Sequence, residues 1–178
     1  GKLNYYIYPI NFKKFLKNFK FLNFPLLILV KIFFKLKISI KKDKDFSISK
    51  IYNNDFHYGR YNDNHKIVSK KDYKLVYRLI SVKKYNEAKI IYIIDILPLN
   101  KRNLKLAVND LIKTNVNIDL IAYIGRLKAI PKNLFKIPDF LLNKQTMFSG
   151  KIIDKKYLQN QVFDSINWNI NSSNFDIK

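Results

Sequence analysis

The residues best suited to chemistry stand at 98–103, where an apolar strand is predicted to open onto an amphipathic helix. Lys101 and Arg102 bring two positive charges to this loop. Junctions of this kind are where many α/β proteins hold a phosphate-bearing ligand. The loop contains no glycine, the residue that lets backbone amides approach a phosphate closely. The sequence therefore indicates a place for an anionic cofactor, without the usual backbone grip.

Other chemistries find little support in the residue types. The chain has no cysteine, no nucleophile motif of the Gly-x-Ser-x-Gly kind and no glycine-rich phosphate loop. His57 and His65 are the only histidines, and neither has a partner at metal-ligand spacing, so we expect no metal site. Glu87 is the only glutamate and falls in a predicted turn. A general base would therefore be an Asp, a His or a Tyr.

The elements that would position the loop at 98–103 follow from hydrophobic periodicity. Residues 74–82 alternate, and residues 88–97 form an almost continuous apolar run typical of a central strand, so the two predict a hairpin. Residues 118–124 predict the next strand. The helix between them has apolar residues at i, i+3, i+4, i+7 and i+8, namely Leu104, Ala107, Val108, Leu111 and Ile112.

The ends of this helix carry asparagines. Asn100 or Asn103 would cap its start and Asn115 would end it. A helix that leads from one strand to the next favours a parallel, right-handed crossover, and a split or mixed sheet also fits. We predict an α/β fold in the α+β sense, with a mixed sheet flanked by helices.

The flanking segments are less regular. Residues 3–10 predict a short edge strand because Pro9 lies at its end, and residues 133–137, between Pro131 and Pro138, predict one helical turn. Residues 163–176 alternate enough for a last strand. The charged residues at 41–45 mark a boundary, which divides the chain into a basic helical N-terminal segment at 1–45 and an α/β domain at 46–178.

The net charge of +21 suggests a second hypothesis for the function, a non-enzymatic binder of nucleic acid or of an anionic membrane surface. Residues 1–42 contain ten lysines and no Asp or Glu. Residues 12–37 have the pattern of a basic amphipathic helix, which would either pack on the rest of the protein or lie on an anionic membrane. Nucleic acid is the less favoured partner, because the chain has 30 Lys and only four Arg. The favoured residue types also have A/T-rich codons, which would produce this charge regardless of function.

The chain begins with Gly1, and nothing resembling a signal peptide follows. We expect a cytoplasmic protein, with peripheral membrane contact as the alternative. We also expect that further sequence precedes residue 1.

The order strand, turn, strand, loop, helix, strand resembles the C-terminal part of the GNAT superfamily of N-acetyltransferases. Short segments at 1–10, 58–61, 93–95, 167–168 and 175–176 are similar to bacterial GNAT-like proteins built from two such halves, distant relatives of the Fem aminoacyltransferases. The resemblance implies transfer of an acyl group from acetyl-CoA or another acyl-CoA to an amine. The acceptor would be an amine-bearing small molecule or a sugar.

The resemblance also implies roles for individual residues. The end of the strand before the helix would line the pantetheine arm, and the loop and helix start would meet the pyrophosphate; these cofactor-binding candidates are Ile94, Asp95, Ile96, Leu97, Lys101, Arg102 and Asn103. The acceptor candidates are Arg60, Tyr61 and Trp168, with Asp95 beside them. Because the loop departs from the family's glycine-rich pattern, the competent acyl-CoA site would alternatively lie in a first half preceding this chain.

Overall fold

The computed structural model describes residues 3–11, 61, 63–83, 87–115, 117–127, 129–132 and 134–139. These residues form one six-stranded sheet and one helix, in the spatial strand order β2-β3-β4-β5-β1-β6. The elements, in chain order, are β1 (Asn4–Pro9), β2 (Lys66–Ser69), β3 (Lys74–Val82), β4 (Ala88–Leu97), α1 (Lys101–Thr114), β5 (Leu120–Gly125) and β6 (Phe135–Lys136).

The centre of the sheet confirms the predicted hairpin and crossover. β3 and β4 pair antiparallel along their whole lengths, and β4 pairs in parallel with β5 after the chain has passed through α1. All other neighbours in the sheet are antiparallel, so the sheet is mixed, as predicted. The parallel pair lies in the middle, where both faces of β4 are buried.

β1 is not an edge strand, and the prediction from Pro9 was wrong. It pairs with β5 on one side and with β6 on the other. β6 pairs only with Tyr6 and Ile7. Pro9, which has no N–H to donate, lies beyond these two pairs and does not interrupt the ladder between β1 and β6.

The predicted helical turn at 133–137 is also wrong, because Phe135 and Lys136 form β6. The two flanking prolines leave too few residues for a helix to nucleate and extend. The open side of β1 instead offers backbone partners, and the N–H of Ile137 donates to the carbonyl of Tyr5 at 2.8 Å. Before β6, the N–H of Leu134 closes a turn onto the carbonyl of Pro131 at 3.0 Å.

The helix α1 buries the predicted apolar stripe against one face of the sheet. Asn100 is its N-cap, with its side-chain oxygen accepting from the N–H of Asn103 at 2.8 Å, and Asn115 ends it. The core under the helix contains fifteen buried residues: Tyr6, Tyr73, Leu75, Tyr77, Ile91, Ile93, Ile96, Leu104, Ala107, Val108, Leu111, Ile118, Ile121, Tyr123 and Leu134.

Several predictions concern residues outside the described ranges. These are the basic helical segment and its boundary near residue 45, the amphipathic pattern at 12–37 and the last strand at 163–176. Among the residues that the structure describes, no helix is long and apolar enough to cross a membrane.

Candidate functional site

A β-bulge in β4 marks the candidate site. Val76 of β3 pairs with Asp95, whereas the next residue, Tyr77, pairs with Ile93, so Ile94 is the extra residue at which the register between β3 and β4 shifts. Such a bulge bends its strand and changes the alternation of side chains. The three residues Ile91, Ile93 and Ile96 all join the core under α1. Ile96 thus occupies the helix-facing place that regular alternation would give to Asp95.

β4 and β5 separate directly after this point. Their parallel register runs from Ile90 opposite Leu120 to Ile93 opposite Tyr123 and goes no further. Beyond it, β4 continues along β3 as far as Leu97, while β5 continues along β1 as far as Gly125. The last residues of β4, Ile94, Asp95, Ile96 and Leu97, therefore extend beyond the parallel ladder, and we call the place between them and the end of β5 the β4–β5 cleft.

Asp95 is a buried carboxylate at this cleft, with only 1% of the residue exposed. One of its oxygens, Oδ1, accepts the N–H of Ile96 at 2.9 Å, and the other, Oδ2, accepts the hydroxyl of Tyr61 at 3.2 Å. The ring of Tyr61 in turn lies 5.4 Å from the ring of His65, between centroids. The structure thus brings together Asp95 and Tyr61, two candidates that are 34 residues apart in the chain.

The loop after β4 is held by asparagine side chains. The Asn103 amide group donates to the carbonyls of Pro98 at 3.1 Å and of Asp72 at 2.9 Å, and the residue is 4% exposed. Its side chain is therefore committed to shaping the loop. Asn100 accepts two N–H groups of the first helical turn, from Asn103 and, through its carbonyl, from Leu104.

The remaining loop candidates, Lys101 and Arg102, are differently exposed. Lys101 is half-buried, whereas the Arg102 side chain is 78% exposed and its Nη2 lies 4.0 Å from Oδ1 of Asp72. An ion pair this exposed contributes little stability. The first turn of α1 contains no acidic residue, although the positive end of the helix dipole favours one. The two cations are thus placed where an anion would be stabilised.

One further contact near the loop was not foreseen from sequence. The Tyr73 hydroxyl donates to Oδ2 of Asp110 at 2.6 Å, which ties the start of β3 to α1. Burial raises the pKa of Tyr73. The hydrogen bond from its hydroxyl to the negatively charged Asp110 carboxylate raises the pKa further. In the sequence, Tyr73 only appears as a tyrosine directly before an alternating strand. Any tyrosine of the core could stand there, so the contact with Asp110 could not be predicted.

Other polar groups in the interior have structural roles. Asp119, 3% exposed, accepts the N–H of Lys89 at 2.9 Å and so ties the start of β5 to β4. Burial also raises the pKa of Tyr6 and of Tyr92. Tyr6 packs on Tyr123 with ring centroids 6.0 Å apart.

The acceptor candidates Arg60 and Trp168 lie outside the described residues, so the structure assigns them no place. Within the described ranges there is no group of three or more His, Cys, Asp or Glu side chains that could hold a metal ion. Comparison with known proteins gave no matching family model, no matching curated protein and no matching solved structure. The case for a function therefore depends on the geometry of the cleft.

Proposed function

We propose that this chain is the GNAT-like half of an acyltransferase that moves an acyl group from acyl-CoA to an amine. The observation that carries the proposal is the β4–β5 cleft, which opens between two parallel strands directly before a helix. The ladder between β4 and β5 ends at Ile93, four residues before the end of β4. An extended ligand arm with amide groups can then lie between them as an added strand would.

The pantetheine arm of CoA suits such a cleft because it is extended and contains two amide groups. In this arrangement Ile94 and Leu97 would contribute backbone groups along the arm. Lys101 and Arg102, four and five residues beyond Leu97, would attract the phosphates by charge. The loop lacks glycine, so close backbone approach to the pyrophosphate would contribute less than in a glycine-rich loop.

The Asp95–Tyr61 pair would serve the acceptor. In the reaction, the amine nitrogen attacks the thioester carbonyl carbon, a C–N bond forms, the C–S bond breaks and CoA leaves as the thiolate. The amine must lose a proton, and a carboxylate with a tyrosine hydroxyl at 3.2 Å is a suitable acceptor for it. Arg60 and Trp168 stay proposed as further acceptor contacts on the resemblance alone.

Acetyl-CoA binding by the full 178-residue chain tests this proposal. Calorimetric titration should give saturable binding, and hydrogen exchange should slow at residues 94–97, whereas Ile90–Ile93, already paired to β5, should change little. ATP is the matched control, because it has phosphates and an adenosine group but no pantetheine arm. It should leave exchange at residues 94–97 unchanged.

Two results would contradict the proposal in different ways. Absence of acetyl-CoA binding at millimolar concentration would remove the cofactor site from this chain and leave it to a preceding half. Equal protection by ATP would show that the β4–β5 cleft does not receive the arm.

The net charge favours one alternative function, a non-enzymatic binder of nucleic acid or of an anionic membrane surface through the lysine-rich residues 1–42. Such a binder would lose affinity for DNA or for anionic vesicles steeply as salt rises, since binding releases counterions. Deletion of residues 1–42 would abolish that binding, whereas acetyl-CoA binding in the β4–β5 cleft needs little of their charge.

A further inference from the structure

A four-residue turn between β2 and β3 lies beside the loop that precedes α1. The N–H of Lys70 closes it by donating to the carbonyl of Tyr73 at 2.8 Å. Lys70, Lys71 and Asp72 are all exposed, whereas Tyr73 is buried in the core. The turn therefore presents two lysines and one aspartate to solvent.

Three contacts fix this turn against the helix. The carbonyl of Asp72 accepts from the Asn103 amide at 2.9 Å, the Tyr73 hydroxyl donates to Asp110 at 2.6 Å, and the Asp72 carboxylate lies 4.0 Å from Arg102. Two of these contacts involve buried residues, so the position of the turn is set by the core. Lys71 directly precedes Asp72, the residue through which the turn contacts Asn103 and Arg102 in the first turn of α1.

These contacts bring two short segments together, with Lys70 and Lys71 next to Asp72 in the turn and Lys101 and Arg102 in the first turn of α1. We call these residues the turn cluster. Within the described residues, the ion pair of Arg102 with Asp72 is the one salt bridge in it. Like charges gathered at one place repel each other, and an anion placed among them would relieve that repulsion.

We infer that the turn cluster binds the phosphates of acyl-CoA, with Lys70 and Lys71 of the β2–β3 turn replacing the glycine-rich backbone grip that the loop at 98–103 lacks. The inference rests on the proposed function, since it assumes that the β4–β5 cleft receives the pantetheine arm. It adds two residues that neither the sequence pattern nor the family resemblance indicated. The grip is electrostatic, so affinity should depend on ionic strength.

The test compares two double variants of the full chain with the same net charge. Lys70→Gln with Lys71→Gln removes the proposed phosphate contacts. Lys132→Gln with Lys136→Gln removes two exposed lysines at the other end of the sheet, in and before β6. Acetyl-CoA and S-acetyl-pantetheine, which lacks the phosphates, are titrated into each. Circular dichroism checks that both variants fold, as expected for exposed positions.

The Lys70/Lys71 variant should bind acetyl-CoA about 5-fold more weakly, within the range of two exposed charge pairs. Raising the salt concentration should reduce the difference. S-acetyl-pantetheine binding should not change, the Lys132/Lys136 variant should behave as wild type, and Lys70→Arg with Lys71→Arg should retain affinity. These results together would support the inference.

Other outcomes would overturn it and separate it from the proposed function. If wild type binds acetyl-CoA and both glutamine variants bind equally well, Lys70 and Lys71 have no role in phosphate binding and the proposed function stands. If S-acetyl-pantetheine loses affinity as much as acetyl-CoA, the lysines do not act through phosphate. If wild type binds no acetyl-CoA, both proposals fail; if DNA binds with the same dependence on Lys70 and Lys71, the cluster belongs to a nucleic-acid surface instead.

Discussion

Replacement of Asn103 by alanine should loosen the junction between the β2–β3 turn, the β4–α1 loop and the helix. The Asn103 amide group donates hydrogen bonds to both neighbouring segments, through the carbonyls of Asp72 and Pro98. Alanine keeps the helix intact and removes both donors. The two carbonyls would then depend on solvent for a partner.

The magnitude follows from these two bonds. A typical hydrogen bond contributes about 1 kcal/mol net to stability, so the loss amounts to roughly 2 kcal/mol. Asp72 and Pro98 are exposed residues, so water can replace part of what is lost and the larger penalties for sealed carbonyls do not apply. Alanine's better helix propensity returns roughly 0.5 kcal/mol. We expect the free energy of unfolding to fall by about 1.5 kcal/mol. This corresponds to a decrease in melting temperature of about 5 °C.

Thermal and urea unfolding of the full chain, followed by circular dichroism, measures this change. Lys105→Ala is the matched control, because it lies on the exposed side of the same helix two residues later. It should change the free energy of unfolding by less than about 0.5 kcal/mol. Equal stability of the two variants would refute the reasoning that Asn103 holds the loop through its amide.

Three further variants test other contacts. Asn100→Ala removes the acceptor for the Asn103 N–H and should cost about 1 kcal/mol, seen as faster hydrogen exchange in the first turn of α1; unchanged exchange would contradict the cap. Tyr73→Phe should flatten the pH dependence of stability above the usual tyrosine pKa of 10.0. Above this pH Tyr73 loses its proton in the unfolded chain but keeps it in the folded protein, where its pKa is raised, so the stability of wild type falls as pH rises. An equally steep fall in the variant would contradict this explanation. Asp95→Ala leaves the Ile96 N–H and the Tyr61 hydroxyl without their acceptor and should cost about 2 kcal/mol in urea unfolding, against less than about 1 kcal/mol for Tyr61→Phe; equal costs would place the stabilisation elsewhere.

The helix and the two strands of the hairpin could be predicted from sequence because their signals are local. The alternation of β3 and the apolar run of β4 gave their bounds, Lys74–Val82 and Ala88–Leu97, without error. For the start of α1, the sequence left two candidate N-cap residues, Asn100 and Asn103. Only the structure separates them: Asn100 accepts the capping bond, and Asn103 provides the N–H.

The outer part of the sheet could not be predicted, because its signals are not local. β1 lies next to β5, more than 110 residues later in the chain, and no pattern within residues 3–10 contains that information. The two residues of β6 are too few to show alternation. Their strand conformation results from the free backbone groups of β1, which a prediction from propensity does not consider.

The cleft was inaccessible to sequence reasoning for a more specific reason. In a strand buried on both faces, side chains of the same type stand at odd and even positions, so the run Ile90–Ile91–Tyr92–Ile93–Ile94 does not show where alternation shifts. An extra residue within it changes nothing in the apolar pattern. The polar residue that follows is the one trace, because Asp95 can be buried only where the chain supplies partners for both oxygens.

That burial connects the fold to the proposed chemistry. A strand that continued in regular pairing with β5 would leave no room beside Ile94, and a carboxylate at Asp95 would face the core under α1, where its charge would be costly. The bulge places Ile96 in that core instead and leaves Asp95 at the opening, bonded to Tyr61. The same extra residue therefore accounts for both the separated strands and the position of the proposed proton acceptor.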